Sequence, residues 1–111
     1  MAYEVKLTIK GEEIPFKRTE TPFFKDTTRA LILQQHQVKM WGKTNGPTDE
    51  DLMNNEKDVA NFASSFFNNQ FTAKDFIDGA HSESTIAISK IIDECLGTSD
   101  TDESDKTESK K

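Results

Sequence analysis

The chain has 111 residues, 33% hydrophobic and 31% charged, and its 14 basic against 20 acidic side chains leave a net charge of −6. That length allows one domain with a single core, and that charge argues against an electrostatic grip on nucleic acid or anionic lipid. The longest apolar run, Ala30 to Leu33, is far short of the ~20 residues that span a bilayer, and Met1 to Lys10 lacks the layout of a signal peptide, so a soluble, unprocessed protein is expected.

Tyr3, Val5, Leu7 and Ile9 alternate with Glu4, Lys6 and Thr8, the pattern of a half-buried strand. Lys10-Gly11-Glu12 supplies a turn, and Ile14 and Phe16 resume the alternation with Pro15 and Lys17 facing out. The two strands form a hairpin. Pro15 has no amide hydrogen and places the second strand at an edge, open to strand addition. A lone two-stranded ribbon is marginal in water and must lean on helices or on another chain.

From Thr21 the period becomes helical, with Thr21 and Pro22 or the later Asp26 as start signals and an end near Trp41, before the loop GKTNGPTDED. Phe24, Leu31 and Val38 form a seven-spaced row flanked by Phe23 and Trp41, and this row is expected to face the core. At about 100° per residue, Leu33 and Met40 fall almost opposite, among Arg29, His36 and Gln37. They are either isolated exposed apolar residues or a contact face for a partner, which Arg29, Leu33, His36, Met40 and Phe62 would form.

Thr48 to Asp51 fits a capping box and starts a helix running to about Asn68. Its rows Leu52, Val59, Phe66 and Met53, Ala60, Phe67, with Ala63 between and Phe62 at the margin, cover about half the circumference, so this helix touches two neighbours, or a neighbour and a partner. Asn68-Asn69 stops it. Thr72 caps a short third helix with Asp75 three residues on, Phe71 and Phe76 make a hydrophobic staple, and the helix ends at Gly79. Phe66, Phe67, Phe71 and Phe76 therefore build a helix-turn-helix corner. Ser82 caps a fourth helix with the buried stripe Ile88, Ile91, Ile92 and Cys95, closed by Gly97. The lone Cys95 makes no internal disulfide, reads as a small buried hydrophobe, and fits a reducing cytoplasm.

The fold class is α+β, mainly α, with an N-terminal hairpin on about four helices in one domain spanning 1–97. Residues 98–111 have no apolar side chain and read as a disordered polar tail. Residues 1–43 carry eight basic and five acidic groups and 44–97 three basic and ten acidic. That division is either ordinary solvated faces or a basis for head-to-tail attraction between copies.

Convergent chemistry is scarce. His36 and His81 lie in different elements at no zinc-motif spacing, no Gly-x-Ser-x-Gly occurs, and no glycine-rich loop follows a strand. No catalytic, metal or cofactor site is expected, and the ingredients that remain are those of protein–protein contact.

KLTIKGEEI, Lys6 to Ile14, matches the pattern K-x-x-I-x-G-x-E, and Asn68 to Gly79 matches Gly/Asn-x-Gln-Phe-Thr-x-x-Asp-Phe-x-Asp-Gly. With these blocks the chain resembles, over residues 3 to 97, the tail assembly chaperones of long-tailed phages infecting Gram-positive bacteria. Asn68 stands where the pattern often has Gly, and the loop around Asn45 to Pro47 is longer. The resemblance implies a non-enzymatic protein of the host bacterial cytoplasm, absent from the mature virion. Such a protein coats the long, helical tape measure protein and keeps it soluble until tube subunits polymerise. A longer, frameshifted form recruits the major tail tube protein, and Lys110-Lys111 is either a slippage site or an ordinary pair of terminal lysines. The competing readings are a small acidic regulator that masks a host protein and a self-assembling structural subunit, a homo-oligomer.

Overall fold

The computed structural model describes residues 3–97; the polar tail expected at 98–111 and the Lys110-Lys111 pair lie outside the described residues. Two strands, β1 (Tyr3–Ile9) and β2 (Glu12–Arg18), precede four helices, α1 (Phe24–Trp41), α2 (Asp49–Phe66), α3 (Ala73–Gly79) and α4 (Ser82–Cys95). The fold is α+β and mainly α, as the alternation and periodicity predict.

The hairpin is antiparallel, with Tyr3 opposite Arg18 and Ile9 opposite Glu12. Lys10 and Gly11 turn it with φ of 53° and 82°, the paired left-handed geometry that suits the twist of two-residue hairpins. Tyr3, Val5 and Leu7 are buried. The outer edge of β1 is covered: Leu7 bridges to Ala80, and the Ser84 hydroxyl donates to the Lys6 carbonyl at 2.6 Å. That carbonyl therefore points away from β2, which leaves Pro15, opposite Lys6, at a position where a missing amide hydrogen costs no ladder bond. On the β2 side, Gln70 donates to the Lys17 carbonyl. Pro15 and this occupied carbonyl blunt the edge expected to accept a strand.

Two capping boxes form as predicted. Thr48 Oγ1 accepts the Asp51 amide while the Asp51 carboxylate accepts the Thr48 amide, and Thr72 and Asp75 repeat the pattern. Two helix starts differ from expectation. Phe23, one residue before α1, has its amide bound by Asp26 at 2.8 Å, so Asp26 acts from the third helical position while Thr21 and Pro22 lie before the helix. His81 precedes α4 with its amide bound by Ser84, one residue earlier than the expected Ser82 cap.

The corner is built of rings. Phe66, Phe67, Phe71 and Phe76 are buried; Phe71 stacks on Phe76 at 6.1 Å, and Phe66 meets Phe67 edge-on at 5.4 Å. Asn68 and Asn69 take φ of 59° and 61°, the left-handed region that asparagine tolerates. Gly79 has a role beyond ending α3: a Cβ there would run into the Thr8 carbonyl, so its bare backbone lets α3 lie against β1. On α4, Ile88, Ile91 and Cys95 are buried as expected.

The largest correction concerns α1. Phe24, Leu31 and Val38, expected to face the core, are 86%, 51% and 66% exposed, whereas Leu33 and Met40, expected to stand off it, are 3% and 6% exposed. The buried residues of α1 are Asp26, Ala30, Leu33 and Met40, and half-buried Gln37 completes their four-three-four-three spacing. Arg18 decides this orientation. Its guanidinium is buried, pairs with Asp26 at 3.0 Å, donates to the Phe66 carbonyl at 2.8 Å and lies 4.1 Å over the Phe66 ring. Turning the apolar row inward would break that pair and leave two charges unmatched.

Candidate functional site

Helices α1 and α2 run antiparallel and are tied across their contact by polar pairs. Arg29 donates to the Ser65 hydroxyl, His36 Nδ1 meets the Asp58 carboxylate at 3.0 Å, Gln37 bonds Asn55, and Lys43 pairs with Asp51 at 2.6 Å. Lys43 first, and then the Thr48 amide, hold the Asp51 carboxyl below the usual carboxylate range. Arg29 and His36 stand on one side of Leu33 and Gln37 on the other, Lys43 follows the end of α1, and Leu33 and Phe62 are buried.

All five residues expected to contact a partner collect along this seam. Arg29, Leu33, His36 and Phe62 line a groove of about 190 Å³, and His36 and Met40 line a neighbouring one of about 560 Å³; the two share His36, Asp58 and Asn61. Arg29 and His36 are exposed rims, while Leu33, Met40 and Phe62 are buried floor. The row read as a second contact face is thus covered by the protein's own α2. Residues expected at the corner, Phe66 to Gly79, lie elsewhere and hold the fold together.

The surface that sequence reasoning missed is the opposite side of α1. Phe24, Leu31 and Val38 recur every seven residues, with Thr27, Gln34 and Trp41 three residues after each, and none of the six is buried. The row is legible in the sequence, but the side it faces is set by tertiary contacts. At the far end of the pair, Leu52 and Met53 of α2 are also exposed. Leu52 continues the Val59–Phe66 row beyond the end of the core.

Reactive chemistry is sparse at every one of these places. Among the described residues no group of three or more His, Cys, Asp or Glu side chains is arranged to hold a metal ion, and no helix is long and apolar enough to cross a membrane. Burial pushes the Cys95 thiol up to about 11, which keeps it protonated and unreactive near neutrality.

The hairpin-and-helix fold keeps an uncovered apolar helix face, the kind of surface that protein partners cover. The chain belongs to the phage tail chaperone family, described as phage tail chaperone protein, whose model matches residues 1–111. No curated protein and no solved structure matches it.

Proposed function

We propose that this protein is a tail assembly chaperone that binds the tape measure protein, keeps it soluble in the host bacterial cytoplasm, and leaves before the virion is complete. The observation that carries this reading is the outward row of Phe24, Leu31 and Val38, exposed on a helix whose other side is already buried. A folded monomer gains nothing from such a row, whereas a long helical client with apolar stripes of its own can be shielded by it. Recruitment of the major tail tube protein belongs to a longer, frameshifted form of the chain. The groove of Arg29, Leu33, His36, Met40 and Phe62 is the second contact surface of this proposal. Its exposed rims are Arg29 and His36, and its floor is filled from within.

Co-expression tests the proposal. The tape measure protein of the same phage should stay in the soluble fraction with this protein and sediment without it; equal aggregation in both cases would refute the chaperone role.

A further inference from the structure

Phe24, Thr27, Leu31, Gln34, Val38 and Trp41 follow one another along the outward side of α1 at alternating intervals of three and four residues, the spacing at which one helix packs along another. The row also matches itself when reversed. About a midpoint between Ile32 and Leu33, Phe24 mirrors Trp41, Thr27 mirrors Val38 and Leu31 mirrors Gln34. A second copy laid antiparallel on the first therefore sets ring on ring at both ends, one β-branched side chain on another further in, and Leu31 beside Gln34 at the centre. This is the self-complementarity that an isologous twofold contact demands; a foreign partner demands nothing of the kind.

Gln34 favours the same occupant. It is exposed in the middle of the row, and covering its amide with apolar surface alone would leave donor and acceptor unsatisfied. In the reversed pair the two Gln34 side chains stand about 4.5 Å apart along the helices on either side of the twofold axis, where each amide serves the other. On the open flank of the row are Thr28 and Gln35, both exposed and uncharged, while Ala30 and Gln37 on the other flank turn inward. Reversal brings Thr28 of one copy to Gln35 of the other, so no like charges meet there.

The rest of the molecule selects the antiparallel orientation. Arg18 ties the end of β2 and the end of α2 to the first turn of α1, and Cys95, at the end of α4, lies close enough to feel the charge of Asp26. The bulk of the protein thus stands at the start of α1. At the other end, the Lys43–Asp51 pair sets the start of α2 beside the end of α1, where Leu52 and Met53 are exposed. A parallel pair would bring two bulky ends together, whereas a reversed pair sets the Phe23–Phe24 end of each copy against the Trp41 end of the other. The area suffices. By their exposure, Phe24 and Trp41 offer roughly 150 Å² each, Leu31 and Val38 roughly 100 Å² each, and Phe23, Leu52 and Met53 about 300 Å² together. Each copy therefore offers up to about 800 Å², the share that one partner contributes to a standard interface.

We infer that the outward face of α1 is the contact of a twofold, antiparallel dimer of this chain. The dimer does not depend on the chaperone reading; where that reading holds, client and second copy compete for the same row, and the free protein keeps the row covered until a client displaces one copy.

Trp41 is the only tryptophan, and in the dimer Phe24 of the other copy covers it, so its emission follows association. Sedimentation equilibrium of the full chain between about 1 and 500 µM should show monomer and dimer alone with a micromolar Kd, and Trp41 emission should move to the blue over the same range. Raising salt from about 50 to 500 mM should tighten the dimer about two- to fivefold, because it screens the repulsion between two copies of net charge −6. Leu31→Glu should weaken association at least about tenfold, with the circular dichroism of dilute protein unchanged; Leu31→Gln serves if the charged variant does not fold. Orientation is read from two double variants. Thr28→Lys with Gln35→Glu sets opposite charges across the open flank and should tighten the dimer about three- to tenfold, while Thr28→Glu with Gln35→Glu sets like charges there and should weaken it as much. A monomer at every concentration, growth beyond the dimer, undiminished association of Leu31→Glu, or equal behaviour of the two double variants would overturn the inference. A chain that stays monomeric and still keeps the tape measure protein soluble would sink the dimer while leaving the chaperone reading intact.

Discussion

The Arg18 guanidinium and the Asp26 carboxylate meet at 3.0 Å with both side chains about 1% exposed, joining the end of β2 to the first turn of α1. The same guanidinium donates to the carbonyls of Glu20, Thr21 and Phe66 and lies over the Phe66 and Phe23 rings. Strand, helix start and aromatic corner are thereby held at one point. Removing one partner strands the other charge in the core, which costs roughly 3–5 kcal/mol. Asp26→Ala and Arg18→Ala should each destabilise by about that amount in urea titrations. The double variant should lose clearly less than the sum, and strict additivity would mean that the pair is not coupled in solution.

The two faces of α1 make opposite predictions. Leu33→Glu buries a charge between α1 and α2 and should prevent stable folding, whereas Leu31→Glu places the same charge in solvent and should shift stability by less than about 0.5 kcal/mol. Thermal melts of the two variants decide the matter. If Leu31→Glu were the more damaging of the two, the helix would be oriented the other way.

That orientation marks the limit of what the sequence discloses. Strand alternation, the Thr48 and Thr72 caps and the rings from Phe66 to Phe76 are local signals, and each is found where the spacing places it. The buried stripe of α1 includes Asp26 and Gln37, polar residues that a periodicity count assigns to the surface, and its anchor Arg18 lies in a different element. The tertiary ion pair, together with burial of Ala30, Leu33 and Met40, makes that stripe the inner one. Arg29, Leu33, His36, Met40 and Phe62, expected to form a partner surface, lie around one seam. Their neighbour across it proves to be α2.

Gly79 tests the contact of α3 with β1. A side chain there meets the Thr8 backbone carbonyl, which cannot rotate away as a side chain could. Gly79→Ala should destabilise by roughly 1–3 kcal/mol through forced displacement of one element, although alanine favours a helix. A stabilised variant in chemical denaturation would show that the two elements are not in contact.

Phe71 packs between Phe16 at 4.9 Å, Phe67 at 5.8 Å and Phe76 at 6.1 Å and is buried. Phe71→Ala leaves a cavity among rigid rings and should cost ~3 kcal/mol or somewhat more. Phe71→Leu refills part of that volume and should recover about half. Near-neutral behaviour of the alanine variant in urea titrations would dismantle the corner as the centre of stability.

Alkali should unfold the protein through two buried acids. Burial, and then the hydrogen bond from its hydroxyl to Glu94 at 2.9 Å, raises Tyr3 from 10.0 to about 12; burial, and then the negative charge of Asp26, raises Cys95 from 9.0 to about 11. Within each interval the unfolded chain has released a proton that the folded chain retains, so stability falls as pH rises. The decline should begin near pH 9 with Cys95 and continue towards pH 12 with Tyr3. Cys95→Ala should flatten its early part. Tyr3→Phe should flatten its late part, at the expense of about 1 kcal/mol at neutral pH for the lost hydrogen bond. Urea midpoints measured from pH 7 to 11.5 distinguish the two contributions, and curves unchanged in both variants would place the alkaline sensitivity elsewhere in the molecule.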